Sequence, residues 1–297
     1  MLFLFACCYF LQKFNSEEKL QVQSLKSKQI IPWGVNYINA PLLWSRGVTG
    51  KNVRVAVLDT GVDIMHPDLS RNLRNGYNTI NPSSLPIDDN GHGTMVAGII
   101  AAQNNNIGVT GVSPDVELYP IKVLDRFGEG EIPNVIKGID WCVNNNIDVM
   151  NLSFSIMKDN ERLHKSIKKA LDSGIIIIAS GSNTSGGPVG YPASYDGVFS
   201  VTSINKSNII GDTSPKGKID FSAPGVDILT TSLNGNYKVT SGTSFSAPHI
   251  TGLIALILQQ HSKFNQKDIY ERLRSFSKDL GESGKDSTFG EGIVILK

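Results

Sequence analysis

Gly242-Thr243-Ser244-Phe245-Ser246-Ala247-Pro248, running straight into the apolar stretch 250–258, is the segment on which the fold turns. It sets a hydroxyl on a glycine-flanked turn just before a run of helical length. The first N–H groups of a helix have no intrahelical partner and favour negative charge beside them. A serine attacking a carbonyl creates negative charge at that place. Alone, the segment reads more readily as a helix cap, because Ser and Thr satisfy the same donors.

Two other segments supply what a hydroxyl nucleophile needs. Val53-Arg54-Val55-Ala56-Val57-Leu58-Asp59-Thr60-Gly61 has the pattern of a buried strand ending in a carboxylate and a glycine turn. Asn90-Gly91-His92-Gly93-Thr94 sets a histidine between glycines, ahead of the apolar segment 95–100. Histidine can take a proton from serine at neutral pH, and a buried carboxylate fixes its tautomer. Each segment has a plainer reading, a strand-ending Asp in a turn and a His in a loop. The three together, each at a glycine turn beside an apolar element, favour the chemical reading.

In the chain order Asp–His–Ser these segments resemble the subtilisin-like serine protease family, whose order is a recognised signature. The resemblance runs from Gln29 to Gly292, nearly the whole chain. It implies a serine endopeptidase with Ser244 as nucleophile, His92 as general base and Asp59 as its orienting partner. It also implies an oxyanion donor at Asn183, which follows the buried-strand pattern Gly174-Ile175-Ile176-Ile177-Ile178-Ala179-Ser180-Gly181. The plainer reading of Asn183 is a loop residue tolerant of unusual backbone shape. Ser182 departs from the family, which usually carries Gly there; a positive φ at this position would strain it.

The resemblance further implies where substrate lies. Gly128, Glu129 and Gly130 correspond to an edge that pairs with extended polypeptide by β-augmentation; the alternative is a flexible hairpin loop. Ser153, Phe154 and Ser155 correspond to the other side of the cleft, with Ser155 standing where Gly is commoner. Gly190 corresponds to the floor of the pocket for the residue before the scissile bond. No acidic residue marks that pocket, although Asp125 and Glu129 could favour a basic residue farther from the cut. A structural Ca²⁺ is implied as well, held by the side chains of Gln29, Asp68 and Asn105 and by carbonyls near Gln103, Ile107 and Val109. Hard oxygen ligands suit calcium; the alternative is an Asn-rich turn with Asp68 as a helix cap.

Apolar strand patterns at 53–59, 118–124, 148–154, 174–181 and 198–204 alternate with helical patterns at 92–103, 133–145, 161–173, 244–261 and 266–276. That alternation predicts an α/β fold, a three-layer, doubly wound, mostly parallel sheet covered on both faces. Ligands of such sheets bind beyond the strands' carboxyl ends, where Asp59 and Asn183 stand.

The chain has 297 residues and a formal net charge of +1, from 28 basic and 27 acidic residues. This favours one enzyme domain over 29–297 and gives no electrostatic case for nucleic acid. The expected partner is a polypeptide substrate, and the expected state a monomer. Of the three cysteines, Cys142 lies in a helical pattern as an apolar filler, and no disulfide or zinc spacing exists. Residues 1–28 read as a leader or a remnant of a propeptide. The apolar run 1–11 is short for a membrane span and lacks the basic flank of a signal peptide. It leaves membrane contact open, with a secreted or cell-surface location if 1–12 are a truncated signal and a cytoplasmic one otherwise. An intracellular or lantibiotic-leader-processing branch would fit such a terminus. An inactive peptide-binding homologue, or an esterase or acyl transferase using the same site, are the readings from other classes.

Overall fold

A computed structural model describes Leu25, residues 28–297 and the backbone of Leu4–Phe5. In chain order its elements are β1 (Leu4–Phe5), α1 (Trp33–Tyr37), α2 (Ala40–Trp44), β2 (Arg54–Asp59), β3 (Tyr77–Asn78), α3 (His92–Ala101), β4 (Glu117–Lys122), β5 (Glu129–Gly130), α4 (Ile132–Asn144) and β6 (Val149–Leu152). They continue with α5 (Glu161–Asp172), β7 (Ile176–Ser180), β8 (Phe199–Ile204), β9 (Phe221–Pro224), the hairpin β10 (Ile228–Ser232) and β11 (Asn236–Thr240), a 3₁₀ turn at Thr243–Phe245, α6 (Ala247–Gln260), α7 (Gln266–Phe276), β12 (Ser277–Lys278) and β13 (Ile293–Val294).

The central strands are apolar without alternation because both their faces are covered. Successive side chains of a strand point to opposite faces. Val55 and Val57 of β2 and Ile176 and Ile178 of β7 therefore pack with Val96, Ile99 and Ile100 of α3 and Ile250, Leu253 and Ile254 of α6. Their neighbours Ala56, Leu58, Ile177 and Ala179 face the other way, onto Val135 and Ile139 of α4 and Leu163 and Ile167 of α5. One sheet thus separates two apolar cores, which is the three-layer arrangement.

Among the described residues the sheet has nine strands in the order β12-β13-β9-β8-β7-β6-β2-β4-β3. All neighbours are parallel except β12 with β13. The five strands and five helices expected from pattern are present, with ends shifted by a few residues. The main difference is at the turn that carries Ser244. Ser244 lies in the 3₁₀ turn, and the α-helix begins only at Ala247, with Pro248 in its first turn. Proline fits there because its missing N–H would have no helical partner anyway. Cys142 is fully buried in α4, and that burial pushes its thiol far above the ordinary range, which makes it an inert filler. Among the described residues, no helix is long and apolar enough to cross a membrane. Most of the apolar run 1–11 lies outside the described residues.

Candidate active site

Asp59 ends β2 and is fully buried. His92 is the first residue of α3 and is 1% exposed. The His92 Nδ1 lies 2.8 and 2.9 Å from the two Asp59 carboxylate oxygens. A carboxylate only accepts, so Nδ1 donates and Nε2 carries the lone pair of the neutral ring. Asp59 is itself held by the Thr60 N–H, 2.7 Å from Oδ1. The His92 ring also packs against Phe245, with ring centroids 5.4 Å apart, which sets the imidazole beside the residue that follows Ser244.

The turn that presents His92 is organised by a residue that pattern reading passed over. Asp88, 6% exposed, accepts from the Thr60 hydroxyl (2.8 Å), Asn90 N (3.0 Å) and Gly91 N (2.8 Å) at Oδ1. Its Oδ2 accepts from Thr94 N (2.9 Å) and the Thr94 hydroxyl (2.6 Å). These are donors of the first turn of α3, where a carboxylate is favoured by the helix dipole. An acidic residue just before an apolar helix was the available signal. Gly91 adopts φ 107°, which is why the chain needs glycine before His92.

Ser244 is 5% exposed and its hydroxyl donates to the Ser153 carbonyl at 3.0 Å. The Ser153 hydroxyl returns a bond to the Ser244 carbonyl at 2.9 Å and accepts from Asn151 at 2.8 Å. The turn that carries Ser244 is thereby tied to the carboxyl end of β6. Asn183 follows the end of β7. Its Oδ1 accepts from Thr243 N (3.1 Å), the Thr243 hydroxyl (3.1 Å) and the Thr213 hydroxyl (3.2 Å). Three donors on one side of the amide fix its orientation, so the NH₂ is the group left to donate. Ser182 has φ 104°, the strained conformation the sequence warned of. Asp59, His92, Ser244 and Asn183, separated by up to 185 positions, converge at the carboxyl edge of the sheet.

The remaining candidates divide. Glu129 and Gly130 form β5, an edge that pairs antiparallel with β1 in the register Leu4 to Gly130 and Phe5 to Glu129. Gly128, at φ 75°, closes the turn before it, and the Asp125 carboxylate holds Phe127 N and Glu129 N at 2.9 and 3.0 Å. This loop touches the histidine turn where the Asn90 amide donates to the Arg126 carbonyl at 3.1 Å. Ser155 is half-buried, but the Phe154 side chain is turned into the core at 2% exposure. Gly190 donates to the Ser182 hydroxyl at 2.8 Å.

Gln29, Asp68, Gln103, Asn105 and Val109 also come together. The Gln29 amide nitrogen is ringed by the Gln103 carbonyl (2.7 Å), Asn105 Oδ1 (3.4 Å) and the Val109 carbonyl (3.5 Å). Asp68 accepts from Asn105 Nδ2 (3.2 Å) and Val109 N (2.9 Å). Burial holds its carboxyl above the ordinary range, opposed by the Val109 N–H. The Ile107 N–H donates to Asn105 Oδ1 at 3.1 Å, which ties Ile107 to this cluster. Leu25 is fully buried here against Val109 and Tyr237, and its carbonyl accepts from Gly108 N at 2.7 Å.

Comparison with known proteins gives the family. A model described as the subtilase family matches residues 50–292. The chain is 41% identical over 275 residues to Subtilisin of Bacillus pumilus, covering 91% of this chain and 98% of that protein. It is 42% identical over 275 residues to Subtilisin E of Bacillus subtilis (strain 168), covering 91% and 71%. It is 38% identical over 267 residues to Minor extracellular protease Epr of the same strain, covering 89% of this chain and 41% of that longer protein. With a family match over most of its length and a carboxylate, histidine and serine gathered at one sheet edge, the chain belongs to the subtilase family, the subtilisin-like serine endopeptidases.

Proposed function

We propose that the peptidase chemistry runs through Asp59, His92, Ser244 and Asn183. His92 takes the Ser244 proton as the hydroxyl attacks the peptide carbonyl. Asp59 stabilises the imidazolium. Asn183 and the Ser244 N–H hold the oxyanion, His92 protonates the leaving amine, and water then releases the acyl group. The observation that carries this reading is the fully buried Asp59 carboxylate on His92 Nδ1. The test is labelling by a serine-directed fluorophosphonate, expected on Ser244 in the wild type and lost in Ser244→Ala together with nearly all proteolysis. Full peptidase activity in Ser244→Ala would refute the assignment.

The substrate is an extended polypeptide laid on β5. Pairing of β1 with that edge supports this, because the edge accepts an antiparallel strand. The same pairing supports a leader role for 1–28, whose strand would compete with substrate until removed. Such an enzyme either degrades broadly or matures a peptide precursor, of which a lantibiotic leader is one kind.

The Gln29, Asp68 and Asn105 cluster is proposed as a structural Ca²⁺ site. The Gln103 and Val109 carbonyls and Asn105 Oδ1 already converge on one positively polarised group, the Gln29 amide, which supports the fit for a cation with oxygen ligands. The ion would cross-link residue 29 to the 103–109 loop and takes no part in acyl transfer.

A further inference from the structure

Three backbone segments meet beside Ser244. Residues 153–156 continue β6 and carry the Ser153 carbonyl that accepts the Ser244 hydroxyl. Residues 181–183 continue β7, and the Ser182 carbonyl accepts the Thr243 hydroxyl at 3.0 Å. Residues 190–191 join the two. Gly190 N bonds Gly181 O and the Ser182 hydroxyl, while Tyr191 exchanges both main-chain bonds with Ile156. These segments adjoin one another next to Ser244, and on the peptidase reading they are the two walls and the floor against which the residue before the scissile bond would lie.

The space between those walls is stoppered. A Cβ placed on Gly190 would lie 2.6 Å from the Ser182 Oγ and 2.9 Å from the Ser155 Cβ. Both side chains thus crowd one point on the floor. Taken in line, those two distances put the side chains at most about 5.5 Å apart. A ring or methylene chain passing between them needs about 7 Å, twice a carbon contact distance of roughly 3.5 Å. The Ser182 side chain cannot swing aside without giving up its bond to Gly190 N. Ser182 also stands at φ 104°, 3% exposed, a conformation glycine adopts freely. A strained non-glycine residue at a functional site invites an account of its side chain, and filling this floor supplies one.

We infer that Ser155 and Ser182 close the pocket for the residue before the scissile bond, so that this enzyme cleaves after small side chains of alanine or serine size and rejects aromatic ones. This rests on the peptidase reading above and names its substrate class. The experiment compares kcat/KM for peptides identical except for Ala, Ser, Leu or Phe at that position. Wild type is expected to favour Ala and Ser over Phe by about ten-fold or more, the scale on which apolar pockets discriminate by size. Ser182→Gly combined with Ser155→Gly is expected to shift the Phe-to-Ala ratio toward Phe by about ten-fold or more. Ser182→Gly relieves a positive φ, so the variant should fold, and its melting temperature checks that. Equal wild-type cleavage after Phe and Ala, or an unchanged ratio in the double variant, overturns the inference while leaving the peptidase reading intact. Failure to cleave any of the peptides, with no fluorophosphonate labelling of Ser244, overturns both.

Discussion

Asp88→Asn tests whether the histidine turn is held by charge and not by shape. The substitution keeps the size of the side chain and replaces one acceptor oxygen by NH₂. With that group in the Oδ1 place it would face Asn90 N and Gly91 N, two backbone donors. In the Oδ2 place it would face only Thr94 N among backbone groups. The Thr94 hydroxyl already accepts from Asp63 N at 2.9 Å and is a poor replacement acceptor. The cheaper orientation therefore orphans one buried N–H, costing about 1–3 kcal/mol, and weakens the remaining charge-assisted bonds. Loss of a carboxylate at a helix N-terminus adds about 0.3–1 kcal/mol. Together these give roughly 3 kcal/mol, or a fall of about 6–12 °C in Tm for a domain of this size. Measurement belongs in the Ser244→Ala background, where autolysis cannot distort the melt. Because His92 is the first residue of the helix that Asp88 caps, kcat in the otherwise wild-type enzyme should fall as well. A Tm within about 2 °C of the parent would refute the claim that this carboxylate organises the turn.

On the proposed oxyanion role, Asn183→Ala should lower kcat by about 10²–10³ with KM nearly unchanged, the scale known for loss of one oxyanion donor in subtilisin. A raised KM with normal kcat would show Asn183 binding ground-state substrate instead. Chelation should lower the Tm of wild type through lost ligand stabilisation, and Asp68→Ala or Asn105→Ala should reduce that dependence; equal melting with excess calcium and with chelator would leave only an Asn-rich turn. His249 is fully buried, with Nδ1 bonded to the Phe245 carbonyl at 2.8 Å, and burial lowers its pKa from 6.5 to about 4. The unfolded chain then binds the extra proton between those values, so stability should be full above pH 6.5 and fall toward pH 4, by at most roughly 3 kcal/mol from this group. His249→Gln should flatten that part of the acid limb, and an unchanged limb would exclude His249 as its source. Intact mass of active wild type should show a terminus near residues 27–29, and retention of Met1 through Lys28 in active enzyme would refute the leader role. Leu25 is buried, so its loss should lower Tm unless calcium compensates.

Much of this was legible in the chain itself. Continuous apolar runs such as 174–181 reveal strands covered on both faces, because a strand with one wet face must alternate. The segments around Asp59, His92, Ser244 and Asn183 stood out because glycine turns and strand ends are features local in sequence. The short strands Tyr77–Asn78, Ile293–Val294 and the hairpin 228–240 were not read, since two to five residues carry too little pattern and their pairing is set by distant neighbours. Asp88 was passed over in the sequence, because only folding aims the donors of Thr60, Gly91 and Thr94 at it. The sequence named Ser155, Ser182 and Gly190 separately, 35 positions from first to last, and flagged strain at one of them. That two of their side chains crowd the third is decided by the register of β6 beside β7 and by the 190–191 crossing, because the width of a pocket is a distance between chain segments that no single segment encodes.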